Sequence, residues 1–308
     1  MLNAGQFGMQ PGASPVALAF VGIGRQGRRH LASALRLSSQ LGIRLAALVD
    51  IDPRCEAEAC ACGTPFYRDI HALPKSVDAC VVATPTATHF DLAGALLRRG
   101  FDVLLEKPVA SHLAQTQGLV RLAEEHRCIL QVGYLERHHP AFTLVQPDFS
   151  VPAQIVSHRS TTGHMIRSLP DLVLELMIHD LDMICAWLDC EPNEIAWRNV
   201  TVSTEQISGV LELGFDDGHR ARLFAKSGAH SAVRRTSIRG GGQTWEFRWG
   251  SSAKPAVDAD LQLDPLARQL RAFVHAVRTR SNPSIDGHSA LRAMRVAQRA
   301  IHALDGAA

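Results

Sequence analysis

The sequence has few of the features that mark membrane, nucleic-acid-binding or disulfide-rich proteins. Its 32 Lys and Arg nearly balance 30 Asp and Glu, for a formal net charge of +2, so charge gives no reason to expect nucleic acid or an anionic membrane as partner. No apolar run approaches the length of a membrane-spanning helix. The seven cysteines are scattered and include no C-x-x-C pair, which favours reduced thiols in a cytoplasmic protein over a disulfide framework or a zinc site.

The hydrophobic pattern predicts an α/β protein of two domains. Met1–Ser14, rich in Gly, Gln and Pro, is expected to be a loose leader. Strands alternate with helices from residue 16 to about 133, which predicts a doubly wound parallel sheet of the Rossmann type in domain 1–133. From residue 134 a long helix and several successive strands predict an α+β domain, 134–308, with an open, mainly antiparallel sheet.

A glycine-rich turn follows the first predicted strand. The strand Val16–Val21 leads into Gly22-Ile23-Gly24-Arg25-Gln26-Gly27, and a helical pattern continues from there. In a dinucleotide-binding turn of this form, the first glycine permits the bend, the second lets the pyrophosphate approach the backbone, and the third lets the helix pack closely. A helix N-terminus also offers unpaired N–H groups to phosphate. The alternative is a strand–helix–strand unit without a nucleotide.

A second predicted strand ends in an acid at the expected distance. Leu45–Asp50 closes on Asp50, 50 − 27 = 23 residues after the last glycine, where an acid accepts the hydroxyls of the adenosine ribose. Asp50 would repel a 2′-phosphate, and the neighbouring Ile51 offers no compensating positive charge. The sequence therefore predicts NAD rather than NADP.

Two further strand ends carry polar groups at the edge of the sheet where ligands bind. Thr84-Pro85-Thr86, with His89 after it, is expected near the nicotinamide half of the cofactor, although an ordinary proline turn explains the spacing equally well. Glu106-Lys107-Pro108 is more specific, because Pro108 keeps Lys107 out of any helix. A lysine beside a partly dry pocket can transfer protons; a surface lysine is the alternative.

The long helix Asp171–Leu188 combines an apolar circumference with one polar stripe. Asp171, Glu175, His179 and Asp182 follow at spacings of four, four and three, which places them on one face. Because unpaired buried charge is costly, the stripe must be paired or face a cavity. An active-site face, a structural network and a metal site all remain open, although the spacing is not that of H-E-x-x-H.

The second domain offers further expectations. Five strands after the helix form a predicted meander, with a hairpin turn at Asp216-Asp217-Gly218. Glu136-Arg137 follows the last Rossmann strand and either clamps a diphosphate through the arginine fork or forms a simple ion pair. His138-His139 and His158 or His164 could line the cleft, but histidines that face solvent are the commoner outcome and are expected here.

The motifs GIGRQG, ALVDID, ATPTATH, LEKP and E-x-x-x-H-D-L-D together resemble the glucose–fructose oxidoreductase/inositol dehydrogenase family, from about Val16 to the C-terminal helices. That resemblance implies a Rossmann domain followed by a domain with an open sheet that often forms the subunit interface, so a homodimer or homotetramer is expected. Within the family, VGYLERHHPA and DLVLELMIHDLD look like the enzymes that oxidise the 3-hydroxyl of UDP-N-acetylglucosamine for amino-sugar lipid A. The chain departs from their pattern at Tyr134 and at His138-His139.

The resemblance also implies roles for individual residues. Lys107 and His179 are the expected catalytic pair, and Glu175, where the family usually has Asp, is the expected orienting group. Free-sugar or inositol oxidation, and a non-catalytic NAD sensor, remain the alternatives; no metal is expected. Substrate contacts are assigned to Lys107, Tyr134, Glu136, Arg137 and His179. NAD contacts are assigned to Gly22, Ile23, Gly24, Gln26, Gly27, Asp50, Ile51, Thr84, Pro85, Thr86, His89, Glu106 and Lys107.

Overall fold

The computed structural model describes residues 14–144, 147–162, 166–249 and 263–304 of the 308-residue chain. Nearly all of the predicted leader, and His164, lie outside these ranges. The chain divides into two compact units, residues 1–138 with 254–290 and residues 139–253 with 291–308. Within the described ranges, no helix is both long and apolar enough to cross a membrane.

The first unit is built on a parallel sheet of six buried or half-buried strands. In chain order they are β1 Val16–Val21, β2 Ile43–Val49, β3 Phe66–Tyr67, β4 Ala79–Val82, β5 Asp102–Leu105 and β6 Leu130–Val132. Their spatial order is β3-β2-β1-β4-β5-β6, the doubly wound order in which ligands bind beyond the carboxyl ends of the strands. The connecting helices are α1 Arg25–Leu41, α2 Glu56–Ala61, α3 Thr86–Arg98 and α4 Leu113–Glu125. The predicted Rossmann architecture is confirmed.

A helix from late in the chain completes the core of this unit. Helix α8, Pro265–Thr279, begins where the Asp264 side chain accepts the Ala267 N–H at 2.9 Å and Pro265 occupies the first turn. Its apolar face, including Phe273, packs into the cluster that holds Leu31 of α1. The first unit is therefore built from two stretches of chain, whereas the predicted division after residue 133 assigns every later helix to the second domain.

The second unit contains a mixed sheet and a long interrupted helix. Its strands are β7 Gln154–Ser160, β8 Glu194–Val202, β9 Ile207–Gly214, β10 Arg220–Lys226, β11 Val233–Gly240 and β12 Gln243–Arg248. The helices are α5 Pro140–Leu144, α6 Leu169–Leu172, α7 Ile178–Leu188 and α9 Gly287–His302, of which the last begins in the first unit. Between α6 and α7, Val173–Met177 forms a π-helical turn.

The predicted meander is wrong in one respect. The sheet order is β12-β11-β7-β10-β9-β8, so β7 is inserted between β10 and β11. β7 pairs parallel with β10 and antiparallel with β11, while the other neighbours in the sheet are antiparallel. Strand period alone does not reveal that an earlier strand fills the gap between two later ones. The hairpin at Asp216–Gly218 is present, with Gly218 at φ +85°.

Candidate functional site

The glycine turn after β1 is held by contacts that only glycine permits at two of its three positions. Gly22 has φ +86°, and a Cβ on Gly27 would lie 1.8 Å from the Gly22 carbonyl oxygen. At Gly24 a Cβ would meet no heavy atom within 4 Å. Two glycines therefore serve the packing of α1 against the turn, and the third leaves open backbone. This open stretch fits a ligand that approaches the main chain closely.

The N-terminus of α1 presents free N–H groups behind this opening. The first helical bond runs from the Arg28 N–H to the Gly24 carbonyl at 3.0 Å, so the amides of residues 25–27 precede the helical ladder. No acidic residue lies in the first turn, and the Gln26 side chain accepts a bond from Arg29 at 2.6 Å. The positive end of the helix is thus left for an anion, which suits the pyrophosphate of a dinucleotide.

Asp50, just beyond β2, is tied to the same turn. Its Oδ2 accepts the Ile23 N–H at 2.6 Å and its Oδ1 accepts the Asp52 N–H at 2.9 Å. Ile51 beside it is 83% exposed, so its side chain is open to contact with a ligand bound at this end of β2. A carboxylate has further lone pairs, so Asp50 can hold the turn and still accept ribose hydroxyls.

Two arginines that the sequence argument overlooked surround this end of β2. Nη2 of Arg54 donates to Oδ2 of Asp52 at 2.6 Å, and the hydrogen bonds from Arg54 lower the pKa of the Asp52 carboxyl to about 2. Arg68 donates to the Ile51 carbonyl at 3.2 Å. The negative charge of Asp50 is therefore partly balanced by nearby arginines. Arg54 and Arg68 are recognised from their positions in the fold, because neither belongs to the glycine motif.

The two polar strand ends lie side by side at the carboxyl edge of the first sheet. Thr84 lies close to the glycine turn, since a Cβ on Gly22 would meet its Cγ2 at 2.7 Å. Pro85 precedes the first turn of α3, where Thr86 begins the helix. Lys107 follows β5 in a bend, half-buried, and its peptide bond to Pro108 is cis. The structure thus brings the glycine turn and both polar turns to one edge.

His89 and Glu106 have partners within the first unit. His89 is buried, with its Nδ1 2.8 Å from the Pro108 carbonyl oxygen and its Nε2 2.8 Å from that of Thr84. Glu106 Oε1 lies 2.6 Å from Nε2 of His30. Burial acts to raise the pKa of Glu106, but the hydrogen bond and charge of His30, with the charge of Lys107, lower it overall.

The segment after β6 is more buried than expected. Tyr134 and Glu136 are buried, and the half-buried Arg137 donates to the Ser284 carbonyl at 2.9 Å. Burial, followed by the charges of three arginines, lowers the pKa of His138 to about 3. The arginines are Arg137, Arg268 and Arg271.

The expectation that these histidines face solvent is wrong for His138 and His139, which are both buried. His139 packs edge-on against Trp249, with ring centroids 5.5 Å apart. His158 is half-buried and stacks on Phe224 at 4.5 Å. Histidine burial depends on which apolar groups the fold places around the ring, which the local sequence does not show.

In the second unit, the polar stripe lies on a helix that changes type. The Ile178 N–H bonds to the Val173 carbonyl, an i→i+5 bond that defines the π turn, and such turns are frequent at functional sites. Glu175 is exposed, Asp171 and His179 are half-buried, and Asp182 is buried. The predicted continuous, buried α-helix is therefore corrected at its first half, which is partly open to solvent.

Asp180, beside His179, forms a buried ion pair that the sequence argument missed. Arg159 of β7 donates to Asp180 through Nε at 3.0 Å and through Nη2 at 2.8 Å, and both side chains are 2% exposed. Ser157 adds a hydrogen bond to Asp180 at 2.8 Å. Arg159 lies on the buried face of β7 together with Ile155 and Ser157. A buried arginine at such a position indicates a buried acid as its partner. Among the described residues, no three His, Cys, Asp or Glu side chains form a group that could hold a metal.

Comparisons with known proteins agree with this geometry. Residues 16–134 match the model of the oxidoreductase family with an NAD-binding Rossmann fold. The UDP-N-acetylglucosamine 3-dehydrogenase of Acidithiobacillus ferrooxidans is 29% identical over 239 residues, 75% of this chain and 72% of its own. The inositol 2-dehydrogenase of Rhizobium meliloti is 29% identical over 189 residues, 58% of this chain and 56% of its own.

Solved structures show the same fold over nearly the whole chain. The structure of the A. ferrooxidans enzyme superposes with a TM-score of 0.81 at 24% identity, covering 94% of this chain and 98% of that one. The myo-inositol 2-dehydrogenase of Lactobacillus plantarum gives 0.81 at 17% identity, with 96% and 98% covered. The glycine turn, its acid and the sheet that carries them lie within residues 16–134, the part of the chain that matches the oxidoreductases with an NAD-binding Rossmann fold. The predicted resemblance to the glucose–fructose oxidoreductase/inositol dehydrogenase family is confirmed: residues 16–134 match the family's model, and both named relatives are similar to this chain.

Proposed function

We propose that this protein is an NAD-dependent dehydrogenase that oxidises the 3-hydroxyl of UDP-N-acetylglucosamine. The observation that carries the proposal is the open backbone at Gly24, in front of the α1 N-terminus and beside Asp50. That arrangement matches a dinucleotide pyrophosphate and its ribose. The similarity to a UDP-N-acetylglucosamine 3-dehydrogenase supports the choice of substrate.

The preference for NAD rests on Asp50. Its carboxylate repels a 2′-phosphate, and the Arg54 side chain beside it is engaged with Asp52. Two arginines partly offset that repulsion: Arg68, which donates to the Ile51 carbonyl, and Arg28, whose charge interacts with that of Asp50. We assign NAD because Asp50 is fixed by two main-chain bonds, whereas Arg68 is held by a long hydrogen bond at an exposed site.

The reaction converts a secondary alcohol into a ketone. NAD, when bound, would supply the hydride acceptor for the carbinol carbon. His179 accepts the hydroxyl proton, Lys107 hydrogen-bonds the reacting oxygen, and Glu175 orients the imidazole. Glu175 is exposed, whereas His179 is half-buried.

The sugar-nucleotide assignment rests on Arg137. Arg137 is half-buried, and its guanidinium already donates one bond to the Ser284 carbonyl at 2.9 Å. That bond restrains the orientation in which the guanidinium can bind a diphosphate. Binding energy from the remote diphosphate then helps to seat the 3-hydroxyl. Tyr134 and Glu136 belong to the same segment of chain as Arg137, and both are buried.

The test is a substrate screen with purified protein and NAD. UDP-N-acetylglucosamine should give NADH and a 3-keto product, and Arg137→Ala should raise KM for it by about tenfold or more, the scale of one lost charge-assisted contact. A free sugar does not use the diphosphate contact, so its turnover should not change in that variant.

Oxidation of a free sugar or inositol is the second candidate, because inositol 2-dehydrogenases are also similar. Turnover of inositol without turnover of the nucleotide sugar would replace the proposed substrate and leave the reaction class intact. Absence of NADH from every substrate, with NAD still bound, would favour a non-catalytic NAD sensor.

A further inference from the structure

The turn that carries Lys107 is anchored on both sides by buried side chains of the first unit. Glu106 keeps one strand bond, from its N–H to the Val82 carbonyl at 3.0 Å. Beyond it, the Lys107 N–H donates to the Glu106 carboxylate at 3.3 Å. The position of Lys107 therefore depends on how firmly its two neighbours in the chain are held.

Glu106 is held from the side of the glycine turn. Its Oε1 lies 2.6 Å from Nε2 of His30, a residue of α1 with no exposed surface. Its Oε2 faces the Lys107 N–H and Gly133, where an added Cβ would approach to 3.0 Å. The carboxylate is thus wedged in one orientation, and α1 is tied to the Lys107 turn through a single imidazole.

Pro108 is held from the opposite side. Nδ1 of His89 lies 2.8 Å from the Pro108 carbonyl oxygen, and its Nε2 lies 2.8 Å from that of Thr84. His89 is 1% exposed. Both partners are carbonyl oxygens, which only accept, so a ring nitrogen that bonds to either of them is the donor. The ring therefore joins the turn after β4 to the turn after β5.

We propose that His30 and His89 are positioning residues that fix the Glu106–Pro108 turn, and with it Lys107, for the reaction. Both histidines act through the main chain or through Glu106, and neither handles the substrate proton. This replaces the predicted direct contact of His89 with the cofactor. The inference rests on the role proposed above for Lys107. A misplacement of about 1 Å in a catalytic group costs up to roughly a hundredfold in rate.

The chemistry of Asn and Gln gives a sharp test. The Asn amide nitrogen occupies the place of Nδ1, and the Gln amide nitrogen that of Nε2. His89→Asn retains the bond to Pro108, whereas His89→Gln retains the bond to Thr84. His30 contacts Glu106 through Nε2, so the two substitutions have opposite roles there. His30→Gln keeps the bond to Glu106, whereas His30→Asn loses it.

The expected result is a specific order of kcat values. His89→Gln and His30→Asn should lower kcat by about tenfold or more, while His89→Asn and His30→Gln should stay within about threefold of the wild type. The Kd for NAD and KM for the sugar should change little in all four. His126→Leu, at an exposed helix end, is the control. A loss of thermal stability with unchanged kcat, or equal losses in both members of each pair, would overturn the proposal.

A double-mutant cycle separates this inference from the proposed function. In a Lys107→Met background, His89→Gln should cause no further loss of kcat, because the group that it positions is absent. A full additional loss would overturn the positioning role. If Lys107→Met alone retained normal turnover, the proposed function of Lys107 would fail instead.

Discussion

Alanine at two glycines of one turn should separate cofactor binding from folding. At Gly24 the backbone is extended, with φ −76° and ψ −165°, and a Cβ would meet no atom within 4 Å. At Gly27 the same atom would lie 1.8 Å from a carbonyl oxygen. One added methyl group therefore enters open space in the first variant and collides with backbone in the second.

The magnitudes follow from these distances. Gly24→Ala gains about 0.4–1 kcal/mol by restricting the unfolded chain and loses a similar amount because alanine is a poor N-cap. Its free energy of unfolding without cofactor should thus change by less than about 1 kcal/mol. Gly27→Ala should lose about 1–3 kcal/mol or more, because the turn or the helix must shift.

The two variants should also differ in their effect on NAD binding, where the direct effect is expected in Gly24→Ala. In Gly24→Ala the methyl group occupies the approach of the pyrophosphate, and a strain of about 1–3 kcal/mol corresponds to a Kd raised roughly 5- to 150-fold. Urea unfolding of the cofactor-free protein and calorimetric titration with NAD measure the two quantities. Unchanged NAD affinity in Gly24→Ala, or destabilisation equal to that of Gly27→Ala, would refute the assignment of Gly24 as a phosphate contact.

The remaining predictions concern catalysis, cofactor choice, pH and assembly. Lys107→Met and His179→Ala should each lower kcat by roughly a hundredfold or more with NAD affinity retained, and near-normal steady-state rates would remove them from the mechanism. The wild type should bind NAD more tightly than NADP, and Asp50→Asn should narrow that ratio by about tenfold or more, since a unit charge at 4 Å contributes up to about 4 kcal/mol; equal wild-type affinities would contradict this. The pKa of His138 is near 3 in the folded protein, against an ordinary 6.5, so the unfolded chain binds the proton first as pH falls. Stability should therefore decline below about pH 6.5, and His138→Gln should remove roughly 2 kcal/mol of the loss between pH 6.5 and 5 in urea titrations. Light scattering should show a homo-oligomer that Phe224→Glu, on the sheet face shared with His158, converts towards monomer; an unchanged mass would place the interface elsewhere.

The order and type of the secondary-structure elements were accessible from the sequence. The predicted strand Val16–Val21 has the observed bounds, and the helix predicted to follow the glycine turn spans Arg25–Leu41. These signals are local, because strand and helix periods and turn residues are read within a few positions of each other. The resemblance of short motifs to a known family added the class of reaction.

Partners between distant segments were not accessible in the same way. Arg159 and Asp180 belong to a strand and a helix, and their pairing depends on the register of β7 in its sheet. The same holds for His30 and Glu106, which are 76 residues apart. A residue pattern shows that a buried charge needs a partner, but only the packing of the elements decides which one it receives.

The sequence by itself determined the glycine turn, its acid and the lysine turn, because each depends on steric and charge requirements within one short stretch of chain. The tertiary structure decided three other matters: that α8 completes the first unit, that β7 enters the sheet between β10 and β11, and that two buried histidines hold the Lys107 turn. These depend on the closure of long loops and on which apolar faces meet, and such contacts form only when distant segments pack together.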